Sequence, residues 1–433
     1  MKARFLKLTL IPNPAKYRTE YISYMSQITA KLNIEDNILI GAIELFDRLP
    51  YISEECSFLF AFGCFYLAVL LYEGGNVVRE KLPRCCKGVY EIGDLTKIVD
   101  TLVVEIMTWL PAPIYPNSFS RAYHIVTGKH LTKEEERSLV LIYLKQSSTL
   151  ESTELKTLAL PENQQKGIKE FMNQPSKNSL FQEYHPDFQK GNLFKSGKWG
   201  QVVSHPNEWG KVIKKSRKKE EAYETFVREI ALLSSISHPH IIKMHGWSYN
   251  EGKFYLILDK GIPIKLTPRT IQQKGSKLLQ ALDHLHSQGF IHRDLKPDNI
   301  LYVNENITLC DFGITRSQAR RGLTGMRVPM ANISPEMLKQ RKYNYDSAVD
   351  IWAFGLLVAW MVKDFIFSDI VEDKDSHHKI QMQIIGFKYG YKFPDKQHTP
   401  RYSLHDIENE DARDLIERCL TDCPQQRPKA KDL

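Results

Sequence analysis

The chain has 433 residues, 42% of them hydrophobic and 25% charged. That length admits two or three domains with cores of their own, and the composition is that of an ordinary soluble globular protein rather than a low-complexity one. The formal net charge of +8 fits an anionic partner such as a nucleotide, an acidic protein or a nucleic acid. It selects none of them, and a solvated basic surface is the plainer reading.

Seven cysteines are scattered along the chain: Cys56, Cys64, Cys85, Cys86, Cys310, Cys419 and Cys423. The odd count, the lack of a CxxC pair and the lack of a zinc spacing point to free thiols in a reducing compartment. The start, Met1-Lys2-Ala3-Arg4 and a short mixed run, carries no clear signal-peptide core or cleavage site. Phe58 to Tyr72 is almost wholly apolar, yet it is shorter than the ~20 residues that span a bilayer. It also contains Gly63 and Cys64, so a buried core helix is expected there. Together these features predict an intracellular protein, cytoplasmic or nuclear. No membrane partner is expected, and among anionic partners nucleic acid is the less favoured.

In chain order, a first part reaches about residue 130. Asn37 to Leu49 carries Ile38, Ile40, Ala42, Ile43, Leu45, Phe46 and Leu49 at helical spacing, and Pro50 breaks it. Phe58 to Tyr72 follows and stops at Gly74 and Gly75. Asp94 to Leu110 is another helix-length block, ended by Pro111 and Pro113. Thr132 with Glu135 is a capping-box pattern that opens a helix toward Leu144. Residues from about 146 to 190 are richer in Ser, Thr, Gln, Asn, Lys and Pro and read as partial helices followed by a linker, so that 131–189 separates the first part from the last. From about 190 to 433 the texture changes to short β-rich runs and then long helices.

The chemistry-bearing residues lie in that last part. His292-Arg293-Asp294-Leu295-Lys296-Pro297-Asp298-Asn299 is followed by Asp311-Phe312-Gly313. Phosphoryl transfer asks a protein for an acceptor of the attacking hydroxyl's proton and for oxygens that hold magnesium on the phosphates. Asp294 suits the first role, and Asn299 and Asp311 suit the second. The string resembles the eukaryotic protein kinase family. The resemblance implies a bilobal α+β kinase fold, ATP and Mg2+ as cofactors, and proteins bearing serine or threonine as substrates. Lys296 after the catalytic aspartate is the serine/threonine form.

Further residues follow in the family's order. Gly197-Lys198-Trp199-Gly200-Gln201-Val202 resembles the latter part of the glycine-rich loop, with Lys195 where the family has its first glycine. Lys211-Val212-Ile213-Lys214 resembles the strand whose lysine grips the α- and β-phosphates, which implies Lys214, or Lys215 if the register slips by one. The basic run from Lys214 to Lys219 also fits a nuclear-import patch or a charged turn. Glu229, on a helix expected over Glu220 to Ser235, stands where the family's glutamate pairs with that lysine. The implied nucleotide site adds Phe194, Asp259 and Leu301 to Gly197, Gly200, Val202 and Lys214. Ser334-Pro335-Glu336 stands for the family's Ala-Pro-Glu, Asp350 to Gly355 for the block whose aspartate anchors the catalytic loop, and Arg427 for the arginine that pairs with Glu336.

Within the family the chain resembles cyclin-dependent kinases. Val227-Arg228-Glu229-Ile230 is similar to the end of their regulatory helix, and Asp311 to Arg316 to their DFGLAR segment. Thr324 then falls at the activating phosphothreonine, and Arg228, Arg293 and Arg316 at the three arginines that clasp its phosphate. Lys198 and Trp199 replace the inhibitory Thr-Tyr pair, Pro329 replaces a threonine, and Ala331 with Asn332 replaces a Trp-Tyr pair, so proline-directed specificity is not implied. Ala42 to Leu49, Phe58 to Glu73 and Thr101 to Phe119 resemble cyclin-box helices, implying an all-α cyclin-like domain over residues 1–130 and a partial second repeat after it. An unrelated helical bundle is the alternative. The cyclin lysine that touches the kinase falls in an apolar run, near Leu70 or Leu71, and its glutamate is matched by Asp100. Such a fusion, activated in cis, resembles protein kinases of giant DNA viruses and would then act in a host cell. A scaffold that binds nucleotide or partners without phosphoryl transfer is the other reading. Lys195 and Pro329 favour it, and Asp294, Asn299 and Asp311 oppose it.

Overall fold

The computed structural model describes residues 10–12, 18–34, 36–47, 49, 51–53, 57–72, 102–104, 106–107, 126–127, 129, 135, 161–172, 180–218, 220–264, 268–317, 333–339, 346–363, 376–390, 392 and 402–433. Most of Asp94 to Leu110, nearly all of the helix expected from Thr132, and Thr324, Pro329, Ala331 and Asn332 lie outside them. The chain divides into two compact units, Met1–Ile236 with Met244–Leu258, and Ser237–Lys243 with Asp259–Leu433.

The first unit begins with an antiparallel pair, β1 (Leu10–Pro12) and β2 (Tyr51–Ser53), and three helices: α1 (Arg18–Leu32), α2 (Asp36–Asp47) and α3 (Ser57–Tyr72). In α1, Tyr21, Ile22, Met25 and Ile28 are buried at helical spacing, within the part expected to be helical but ahead of the first segment singled out, Asn37 to Leu49. Asn33 ends it in the left-handed region, φ 52°, with Ile34 N–H donating to the Thr29 carbonyl at 2.9 Å. Arg18 in the first turn of α1 meets Asp47 in the last turn of α2 through two bonds of 2.7 and 2.9 Å. Each charge sits at the end of its helix that the macrodipole disfavours, and pairing offsets both. From Leu59 to Leu71 only Phe60 escapes full burial, so α3 is apolar all round because it is enclosed all round. A Cβ on Gly63 would stand 2.5 Å from the Leu102 side chain and 2.9 Å from that of Ile106, so this glycine lets these two helical residues reach α3. No described helix is long and apolar enough to cross a membrane.

After α4 (Glu162–Met172) comes a five-stranded sheet in the order β3-β4-β5-β7-β6, formed by β3 (Leu193–Ser196), β4 (Gly200–Ser204), β5 (Lys211–Ser216), β6 (Met244–Asn250) and β7 (Lys253–Asp259). Phe188, Val203, Ile213, Tyr255 and Ile257 form its buried cluster. Helix α5 (Glu220–Leu233) stacks Phe226 on Phe254 of β7 at 6.3 Å.

The second unit holds α6 (Pro268–Ser287), which opens on a proline, a residue preorganised for a helix's first turn. Strands β8 (Ile262–Pro263), β10 (Ile300–Val303) and β11 (Asn306–Leu309) form one small sheet, and β9 (Phe290–Ile291) pairs with β12 (Arg316–Ser317). Asn304 and Glu305, both at positive φ, make the two-residue turn between β10 and β11. Helices α7 (Pro335–Lys339), α8 (Ala348–Lys363), α9 (Ser376–Tyr389) and α10 (Glu410–Cys419) complete it.

A Cβ on Gly355 would lie 2.6 Å from the Cys419 Cβ, so the glycine sets how closely α8 and α10 pack. Gly355→Ala should cost about 1–3 kcal/mol by overpacking. Thermal unfolding should show a lower midpoint; an unchanged midpoint would contradict this packing.

Candidate active site

In the first unit, β3 and β4 are joined by a tight turn in which Gly197 N–H donates to the Gly200 carbonyl at 2.9 Å. Gly200 has no room for a side chain, since a Cβ would sit 2.5 Å from the Lys215 carbonyl oxygen. Arg217, at the end of β5, holds this turn from three atoms. Its main-chain N–H donates to the Trp199 carbonyl at 2.9 Å, its Nε to the Gly197 carbonyl at 3.0 Å, and its Nη2 to the Ser196 hydroxyl at 3.0 Å. Nothing in the sequence reading singled out Arg217; its signal is only its place one residue past the strand facing the turn. Lys195, where the family has glycine, pairs with Val202 beside a bulge in β3, and Phe194 is exposed.

Val202 lies opposite Lys214 in the β4–β5 register. Lys214 Nζ is 2.6 Å from Glu229 Oε2, with the glutamate carboxylate almost wholly buried. The register places Lys214, not Lys215, on that carboxylate. A buried ion pair is weak evidence for stability, because desolvation cancels much of the Coulomb gain. Its value here is that it fixes an ammonium in place. One residue before Glu229, Arg228 donates from Nε and Nη2 to the Leu70 carbonyl of α3, at 3.1 and 2.9 Å.

In the second unit the other residues gather around Asp294. Its carboxylate accepts from Lys296 Nζ at 2.9 and 2.7 Å and from Asn299 Nδ2 at 2.8 Å. Asn299 Nδ2 also reaches the Asp294 carbonyl, and the Asn299 carbonyl accepts from Cys310 N–H at 2.9 Å. The amide's orientation and the approach to Asp311 are thereby fixed together. Asp311 has φ 64°, a left-handed backbone, and Phe312 after it packs edge-on against the His292 ring, both fully buried. Leu301 stands half-buried on β10 against Gly261. Asp259 N–H bonds the Lys243 carbonyl at 3.2 Å.

The loop that carries Asp294 is hung on Asp350. His292 N–H and Arg293 N–H donate to its two oxygens at 2.8 Å each, and His286 Nε2 donates at 2.8 Å. These bonds hold Arg293 at φ 72°. Burial alone would push the Asp350 carboxyl up; the His286 hydrogen bond, the histidine charges and the Arg293 amide outweigh it and hold the carboxyl below its usual range. His286 was not foreseen from sequence. Burial pushes the His292 ring below the ordinary histidine value. Its Nδ1 accepts from Asp294 N–H and its Nε2 faces the Cys310 carbonyl, which is the neutral tautomer. Arg427 forks onto Glu336 at 2.6 and 2.8 Å, as its position implied. Arg316 lies on β12 opposite Ile291, and Thr324 is outside the described residues.

Asn299 and Asp311 offer hard oxygen donors, the chemistry magnesium takes when phosphates and water complete its shell. Each unit thus holds its own set: a lysine locked on a glutamate in the first, and an Asp with an attached Lys and Asn beside a hard-oxygen pair in the second. The protein kinase domain family matches residues 196–433, 238 of the 433 residues, and the chain belongs to that family. Among curated proteins it is similar to serine/threonine-protein kinase 10 of Homo sapiens, 29% identical over 240 residues, or 50% of this chain and 23% of that protein. Ribosomal protein S6 kinase alpha-2 of Mus musculus is 33% identical over 215 residues, 45% of this chain and 27% of its own. An Aurora kinase of Eremothecium gossypii is 28% identical over 272 residues, 57% of this chain and 67% of its own. The chain thus spans about a quarter of the length of the first two of these relatives.

The titrations above set a direction for acid stability. His292 binds a proton more readily unfolded than folded, so stability is lost as pH falls below about 6.5. Asp350, lowered when folded, keeps its contribution above about pH 4 and loses it as pH drops through its folded value. Calorimetry from pH 7.5 to 5 should show a falling unfolding midpoint; a flat or rising one would contradict the buried neutral His292.

Proposed function

We propose that the chain is a protein serine/threonine kinase that transfers the γ-phosphoryl group of ATP to protein hydroxyls. The observation that carries this reading is the Asp294 carboxylate held by both Lys296 and Asn299. Asp294 accepts the proton of the attacking serine or threonine hydroxyl. Lys296 sits where negative charge develops on the group in transit. Lys214, steadied by Glu229, grips the α- and β-phosphates, and the Gly197–Gly200 turn covers them with main-chain N–H groups. Phe194, Val202, Asp259 and Leu301 complete the nucleotide site. Asn299 and Asp311 hold Mg2+, which when bound neutralises the phosphate oxygens. A phosphate on Thr324 would be received by Arg228, Arg293 and Arg316, of which Arg228 is also held on the Leu70 carbonyl.

The finer reading is that residues 1–130 form a cyclin-like domain activating the kinase in cis, in a chain nearest to cyclin-dependent kinases. What supports it is the docking of α3 on α5, the helix that bears Glu229. Tethering would replace association of two proteins with a high effective concentration.

The test is transfer from Mg-ATP to serine-, threonine- and tyrosine-containing peptides by the full chain and by Asp294→Asn. Serine and threonine peptides should be labelled, and the variant should lose about 10²–10⁴-fold in kcat. Binding of ATP with no transfer would leave the scaffold reading instead.

A further inference from the structure

We propose that Arg228 is a positioning residue. By capping the C-terminal end of α3, it fixes the rotation of α5 about its axis and so holds Glu229 on Lys214. The inference rests on the kinase reading above and adds a mechanism to it.

The last carbonyls of an α-helix have no partner within the helix and carry its partial negative charge. Leu70 is two residues from the end of α3, and the last turn of α3 contains no basic residue of its own. The α3 C-terminus therefore lacks an internal cation. Arg228 supplies one from another helix, through two donors that converge on a single oxygen. The arginine is buried, and the Glu224 carboxylate lies 3.7 Å from its Nη2, one turn back on α5. A buried guanidinium is fixed in direction by the few acceptors it finds, so this contact is a defined orientation rather than a sliding surface.

Adjacent residues on a helix point about 100° apart. Arg228 and Glu229 are adjacent on α5, and each is bound: one to α3, the other to Lys214 on β5. Two bonds at that angular separation define a helix's rotation, which one bond leaves free. The anchor is rigid, since α3 is buried along nearly its whole length. The sequence resemblance assigns Arg228 to a phosphate; here its Nε and Nη2 are on a main-chain carbonyl.

The experiment uses the full chain with Arg228→Met and Arg228→Lys, each compared with and without Glu229→Gln. Two quantities are read: hydrogen exchange of the α5 amides, and the ATP dissociation constant. The methionine variant should raise α5 exchange about tenfold and weaken ATP about five- to tenfold, while β6 and β7 keep their protection. Lysine, with charge but no fork, should fall between. In the methionine background Glu229→Gln should then have no further effect on ATP affinity, which a merely structural Arg228 would not cause. Wild-type α5 exchange and ATP affinity in Arg228→Met, or an undiminished Glu229→Gln effect, would overturn the proposal. Should the methionine variant not fold, the lysine variant decides by the same readings. A wild-type chain that transfers no phosphate while these readings shift as expected would sink the kinase reading and leave the positioning role standing.

Discussion

A single buried carboxylate, Glu229, must meet a single ammonium, Lys214, and much of the first unit is arranged around that 2.6 Å contact. Lys214 comes from β5, whose register with β4 points it toward α5. Glu229 comes from α5, which is set on the sheet by Phe226 and Tyr223 against Phe254 and on α3 by Arg228. Exposed ion pairs of this kind contribute little. With the carboxylate buried and the ammonium largely so, the pair becomes sensitive to small rotations of α5, which makes it suited to control.

The second unit solves a different problem with the same physics. The loop bearing Asp294 takes an irregular path, with Arg293 and Asp311 both in the left-handed region. Such backbone is costly unless its surroundings fix it. Asp350 does so with two oxygens that accept three bonds, and it sits in the first turn of α8, where the helix dipole favours an anion. Arg427 does similar work on Glu336, and its Nη1 also donates to the Ala348 carbonyl at 3.0 Å. These buried charges define geometry more than they add stability.

How legible this was in the sequence depended on the kind of group involved. Asp294, Lys296, Asn299 and Asp311 could be read because transfer chemistry demands those side chains at that spacing. The Lys214–Glu229 and Arg427–Glu336 pairs followed from order along the chain, and the structure brings both together. Arg228 was legible only as a phosphate-clasping arginine; its contact with Leu70 could not be read, because the partner is a main-chain carbonyl and no residue type encodes that. Arg217 was hidden for the same reason, as its targets include the Trp199 and Gly197 carbonyls. His286 was hidden because its partner, Asp350, lies 64 positions away. Helix α1 fell in the part read as helical but was not singled out, although Tyr21, Ile22, Met25 and Ile28 keep helical spacing, since the polar residues between them dilute the stripe.

The central claim is that the Lys214–Glu229 pair exists in the chain by itself, with no second protein. A double-mutant cycle tests it most directly: ATP dissociation constants of the purified full chain with Lys214→Met, with Glu229→Gln and with both. The account predicts strong non-additivity, with the double variant no weaker than Lys214→Met alone. Effects that simply add would contradict it, because two residues in contact through one bond cannot act independently.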